Sequence, residues 1–188
     1  MKKGLSIVGS SRANGDREPN DFYPTPPYAT EELFSREKFE GNVWECASGN
    51  GAMSRVIEKY NECVSSDIQE DEWVYGDKGI DFLNCSYRGV DNIITNPPYK
   101  YAKEFVLKAK LQAKRKIAMF LKLVFLESSG RYDMFQDKAF PLKAVYVFCK
   151  RVPIYKGGIA MKNSGLIAYA WFVWDKDYIG KPQIEWIL

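Results

Sequence analysis

The 188-residue sequence contains no histidine. That absence removes Ser-His-Asp and Cys-His nucleophilic catalysis, and with them every metal site built on imidazole. Any reaction here must rely on carboxylates, amides, hydroxyls, backbone groups or a bound cofactor. Cysteine is scarce as well. Cys46, Cys63, Cys85 and Cys149 form no C-x-x-C pair and show no disulfide framework. Cys46, Cys63 and Cys149 lie in apolar runs and are expected to be buried free thiols in a reducing compartment. No apolar run is long enough to span a bilayer. The opening Met-Lys-Lys-Gly-Leu-Ser-Ile-Val is interrupted too early for a secretory leader, so a cytoplasmic location is expected. Neither sign of charge dominates: 27 Lys and Arg against 24 Asp and Glu leave a formal net charge of +3. Such a balance permits a polyanionic partner without demanding one.

Hydrophobic and charged contents of 46% and 27% suit one globular domain of this length. Residues 1–20 are rich in Gly, Ser, Asn, Asp and Arg and have little to bury, so they are predicted to be a flexible N-terminal arm preceding a single domain, 21–188. Asp21-Phe22-Tyr23-Pro24-Thr25-Pro26-Pro27-Tyr28 combines aromatics with proline, and Thr30 is a fair N-cap for a helix through Glu31, Glu32, Leu33 and Phe34. Asn42 to Ala47 is a short apolar run, followed by Ser48-Gly49-Asn50-Gly51 and the helical pattern Met53, Val56, Ile57, Tyr60. Strand, glycine turn and helix in that order let a backbone approach a ligand closely. The third glycine of G-x-G-x-x-G and a P-loop lysine are both missing, which weakens a pyrophosphate reading. Cys63 to Ser66 makes a second strand ending at Asp67, 22 residues beyond Glu45, where nucleotide-type folds hold a ribose hydroxyl.

Further along, 69–72 is a charged loop and Gly79-Ile80-Asp81-Phe82-Leu83 is a short segment anchored by its apolar residues. Asp91 to Thr95 is a strand. Ala102, Phe105, Val106, Ala109 and Ala113 recur at helical spacing, with Lys103, Lys110 and Lys114 on what reads as a solvated face. Ile117 to Phe125, Ala144 to Cys149, Leu166 to Trp174 and Gln183 to Leu188 are the remaining strands. A loop with a short helix, 127–135, and a basic glycine-containing loop, 150–165, lie between them. Strands alternating with helices and then crowding together predict an α/β fold: a mostly parallel seven-stranded sheet with an antiparallel edge strand and helices on both faces.

The strand at 91–95 exits into Asn96-Pro97-Pro98-Tyr99. Two prolines fix φ, lack amide donors and push the preceding residue to extended geometry. The carbonyls of Asn96, Pro97 and Pro98 are therefore expected to lack helix or ladder partners. Asn96 adds an amide acceptor and Tyr99 a flat face for stacking. Acceptors beside an aromatic plate suit a planar group bearing an NH2. Taken alone, the tetrapeptide could equally be a rigid turn.

With Gly49-Asn50-Gly51, Asp67, Asp81-Phe82 and Asn96-Pro97-Pro98-Tyr99 in this order, the chain resembles a Rossmann-like, class I S-adenosylmethionine-dependent methyltransferase. Its tetrapeptide is similar to that of amino-methyltransferases, above all small phage N6-adenine DNA methyltransferases. The resemblance covers roughly residues 21–174. It implies S-adenosyl-L-methionine as cofactor and adenine in DNA as acceptor, with no metal and no membrane partner. Glu45, Ala47, Gly49 and Gly51 would belong to the cofactor loop, with Asp67 on the ribose and Asp81 and Phe82 at the cofactor adenine. Tyr23, Pro24, Thr25 and Pro26 would contact the methionine end. Asn96 and the Pro97 carbonyl would accept from the target amine, Pro98 would stiffen the motif and Tyr99 would stack on the target ring. The same motif logic also serves RNA amines and protein glutamine, and a non-catalytic binding module of this fold is a further alternative. No separate target-recognition domain is visible, which leaves the arm, the Lys-rich helix and the loop 150–165 as candidate nucleic-acid contacts.

Overall fold

The computed structural model describes residues 23–86, 89–154 and 167–188. The predicted arm, with Asp21 and Phe22, and most of the basic loop lie outside the described residues. Seven strands build one sheet: β1 Val43–Glu45, β2 Cys63–Ser65, β3 Asn92–Thr95, β4 Lys116–Lys122, β5 Leu142–Phe148, β6 Tyr169–Asp175 and β7 Gln183–Ile187. Their spatial order is β2-β1-β3-β4-β6-β5-β7. Strands β1 to β4 pair in parallel, β6 pairs antiparallel with both β4 and β5, and β7 runs parallel to β5.

Alternation along the central strands sorts their side chains to two faces. Ile93, Ile117, Met119, Leu121 and Phe172 pack under Phe105, Val106 and Ala109 of α3 (Ala102–Gln112) and Met134 of α4 (Tyr132–Gln136). Ile94, Ala118, Phe120, Trp171 and Val173 pack against Leu33 of α1 (Pro27–Phe34) and Ile57 of α2 (Ser54–Ile57). The predicted three-layer α/β architecture is thus present.

Several local expectations shift. The antiparallel strand is not the edge but lies two places inside it, because β6 is apolar at nearly every position and buried on both faces. The edge falls to β7, whose first four residues are exposed. Helix α1 starts at Pro27 rather than after Thr30, since proline at the first position supplies helical φ and lacks only a donor the first turn cannot use. Thr30 is consequently inside the helix and buried. Strand β4 ends at Lys122, and Leu123–Leu126 continues as a 3-10 turn. Cys46 is buried as expected, whereas Cys63 is half-buried and Cys149, just past β5, is exposed. The lysine face of α3 is tied down rather than free: Lys110 Nζ donates to Met134 O at 3.1 Å and to Asp137 Oδ2 at 2.8 Å, and Lys103 Nζ donates to Gly130 O at 2.6 Å.

Consecutive connections from β1 and β2 depart to opposite sides of β1. This makes the crevice above the carboxyl ends of β1 and β3 a topological switch point, where open α/β sheets bind ligands.

Candidate active site

A cleft of about 770 Å³ opens above the ends of β1, β2 and β3, within the size range of pockets for small molecules and cofactors. Glu45, the last residue of β1, stands on its floor and is almost wholly buried. Its Oε2 accepts from Ser54 Oγ at 2.8 Å and its Oε1 from Thr95 Oγ1 at 3.3 Å. Burial raises the Glu45 carboxyl to about 8 and the nearby Asp67 charge adds to the rise, while the two hydroxyls oppose it. Ala47 and Gly49 continue the wall. Gly49 has φ +53° and its N–H donates to Asp67 Oδ2 at 2.8 Å. Asp67 Oδ1 accepts from the Gln69 N–H at 2.9 Å. Asp67 therefore clasps the glycine turn to the end of β2 and keeps spare lone pairs toward the cleft. Gly51 stands off the wall. Its φ of +75° and a would-be Cβ 2.4 Å from Tyr75 Cγ show that glycine is needed there for packing.

Asp81 and Phe82 border the cleft as well. Asp81 Oδ1 accepts from the Leu83 N–H at 2.9 Å and Oδ2 from Asn84 Nδ2 at 2.6 Å. Phe82 is fixed edge-on against Trp44 and tilted against Phe105.

Asn96 and Pro98 also reach the wall, with Tyr23, Pro24 and Thr25. Asn96 Nδ2 donates to Tyr23 O and to Thr25 Oγ1, each at 3.0 Å. Its Oδ1 is buried and has no hydrogen-bond partner among the described residues. The Pro98 carbonyl is not free as expected: it accepts from the Tyr101 N–H at 2.9 Å and closes a 3-10 turn over Tyr99–Tyr101. Pro97 is buried behind the wall. Pro26 serves as cap for α1, its carbonyl accepting from the Ala29 N–H. Tyr99 lies off the wall too, stacked on Tyr23 with ring centroids 6.4 Å apart and tilted against Tyr169 at 5.9 Å. Lys122 Nζ, at the end of β4, sits 4.5 Å from the Tyr99 ring centroid.

The sequence reading missed Ile68, Trp73, Ile80 and Tyr101, which also line the cleft. Trp73 is exposed beside a run of acids, and a single exposed aromatic in a loop carries no signal of its own. Among the described residues no cluster of acids and thiols could hold a metal, and no helix is long and apolar enough to cross a membrane.

No protein-family model matches the sequence, and comparison with curated proteins finds no match. Solved structures do match in fold. An RNA methyltransferase candidate from Pyrococcus horikoshii superposes with a TM-score of 0.63 at 18% identity, over 88% of this chain and 93% of that one. The methyltransferase subunit of a type I restriction-modification system from Streptococcus thermophilus gives 0.60 at 12% identity, over 83% of this chain. A class I S-adenosylmethionine-dependent methyltransferase candidate from Listeria monocytogenes gives 0.54 at 12%, over 85% of this chain. The matches span 46% of the Streptococcus protein and 61% of the Listeria one. Strand order, the cleft at the switch point and these superpositions together establish a Rossmann-like, class I methyltransferase fold for this chain.

Proposed function

We propose that the protein is an S-adenosylmethionine-dependent methyltransferase acting on the exocyclic N6 amine of adenine in DNA. The observation that carries this reading is Asn96. Its amide oxygen is buried without a partner at the edge of the cleft. Such an acceptor costs free energy until a donor reaches it, and an amine hydrogen is the donor the reading supplies.

The residues present fit the cofactor. Asp67 could accept from ribose hydroxyls with its spare lone pairs. Ile68, Ile80 and Phe82 offer apolar surface to a purine, with Asp81 at the rim for its amine. Glu45 is a buried carboxyl that a cationic ammonium would draw into its ionised form. When bound, the cofactor supplies an electrophilic methyl group on a sulfonium and departs as a neutral thioether.

At the acceptor end, Asn96 Oδ1 and the Pro97 carbonyl would accept hydrogen bonds from the two amine hydrogens and turn the nitrogen lone pair out of the ring plane. The nitrogen would release one proton to solvent once its bond to the methyl has formed. Holding that geometry contributes through position and fixed dipoles rather than through a strong base, in keeping with the lack of histidine. Tyr99 would stack on the target ring after displacing the Lys122 ammonium from its face. A base in duplex DNA has to leave the stack to arrive there.

Labelled cofactor incubated with varied DNA, RNA and protein acceptors tests the reading. N6-methyladenine in DNA is expected, and its absence across varied DNA would sink the DNA assignment. Label in RNA would favour the second reading, RNA amine methylation, which the Pyrococcus neighbour of matching length supports.

A further inference from the structure

Thr25 was expected to touch the methionine end of the cofactor, yet its hydroxyl is engaged with the acceptor motif. An asparagine amide is planar and nearly symmetric in shape, so it can present either an oxygen acceptor or an NH2 donor to the same point. For an amine acceptor, only the oxygen is productive. The NH2 end would oppose donor to donor.

The structure holds the amide one way round. Both hydrogens of Asn96 Nδ2 are committed, one to Tyr23 O and one to Thr25 Oγ1. The Thr25 side chain is buried, with 3% of the residue exposed, so water scarcely competes for its hydroxyl. Thr25 is itself firmly placed. Pro24 and Pro26 flank it with fixed φ, and α1 beyond Pro26 is anchored where Trp171 Nε1 donates to Ala29 O at 2.6 Å. The remaining end of the amide, Oδ1, is left buried and unpartnered.

Building on the proposed function, we propose that Thr25 is a positioning residue that sets which end of the Asn96 amide meets the acceptor. It thereby selects acceptors that bring an NH2 over those that bring a carbonyl. Its hydroxyl takes no part in the transfer.

The test uses full-length protein labelled with ¹⁵N-asparagine, the Asn96 side-chain amide being identified by its loss in Asn96→Ala. In wild type the two Asn96 Nδ2 protons should be slowed in solvent exchange by at least about tenfold relative to a free asparagine, one hydrogen bond's worth. Thr25→Val keeps the shape and removes the hydroxyl, and should abolish the slowing for one proton. Thr25→Ser should restore it. Turnover on whichever acceptor is methylated should fall about tenfold in Thr25→Val, with S-adenosylmethionine affinity by calorimetry held within about twofold, and should recover in Thr25→Ser. Free exchange of the wild-type Asn96 amide overturns the proposal, even if Thr25→Val does not fold. Equal losses of turnover and cofactor affinity also overturn it, because Thr25 would then be a cofactor contact. A slowed, Thr25-dependent amide in a protein that methylates nothing supports the positioning role while removing the methyltransferase reading.

Discussion

Asn96, Asp67 and Glu45 face the same cleft but should fail in different ways. Truncating Asn96 to Ala removes the proposed amine acceptor and nothing on the cofactor side. Turnover should drop about 10²- to 10³-fold, as for loss of one preorganised polar contact, with S-adenosylmethionine affinity unchanged in calorimetry. Full activity in Asn96→Ala would show that the amine binds elsewhere. Glu45 links function to pH. Its folded carboxyl lies at about 8 against an ordinary 4.5. Between those values the native state holds a proton that the unfolded chain has released, so stability falls as pH rises through the interval. Thermal unfolding from about pH 5 to about pH 9 should show that fall, and Glu45→Gln should flatten it. If wild type and Glu45→Gln have parallel profiles, Glu45 is not the titrating group.

Helix α1 packs on the sheet through Ala29 and Leu33, and Glu37, three residues past its end, adds a polar tie. Glu37, just past α1, has a side chain 1% exposed and accepts from Lys116 Nζ of β4 and Lys143 Nζ of β5 at 2.8 Å each, and from Tyr146 OH at 2.7 Å. Burial alone would raise its carboxyl, but the hydrogen bonds from Lys116, Lys143 and Tyr146 outweigh it and leave it lowered. Asp175 of β6 approaches the same two lysines. Glu37→Ala would leave two partly buried ammonium groups short of their partner, and is expected to cost about 3–5 kcal/mol in denaturant unfolding. A loss under about 1 kcal/mol would mean that Asp175 alone balances the lysines. The lowered carboxyl also makes this contribution present near neutral pH and lost as pH falls below the ordinary carboxylate range. Nothing in the sequence announced this network, because Glu37, Lys116, Lys143 and Asp175 meet only through sheet order. By contrast, β3 and α3 could be read directly from Ile93-Ile94 and the spacing of Phe105, Val106 and Ala109. Alternation cannot reveal whether a doubly buried strand is central or at an edge, so the inner position of the antiparallel strand could not be read from the sequence. The cleft residues Glu45, Asp67 and Asn96 were legible because each ends a strand at a turn. Ile68 and Trp73 were not, since only the fold brings that loop over the cleft.

The cleft draws on segments from Tyr23 to Phe105, so a ligand filling it ties α1's leading segment, the ends of β1, β2 and β3, and α3 into one unit. Because such a ligand binds only the folded chain, S-adenosylmethionine at a hundredfold excess over its dissociation constant should stabilise the protein by about 2.7 kcal/mol. In a domain of this size that is roughly 5–10 °C in the midpoint of thermal unfolding. Asp67→Ala separates the contributions within that shift. Losing the acceptors for the Gly49 and Gln69 N–H groups should lower the midpoint of the ligand-free protein, and losing the proposed ribose contact should shrink the ligand-induced rise. Asn96→Ala should keep the whole rise, because it stands at the acceptor end. A rise unaffected by Asp67→Ala would place the cofactor away from β2. If wild type shows no rise but still binds nucleic acid, the class I fold serves here as a binding module. The unpartnered Asn96 oxygen would then need an occupant other than a substrate amine.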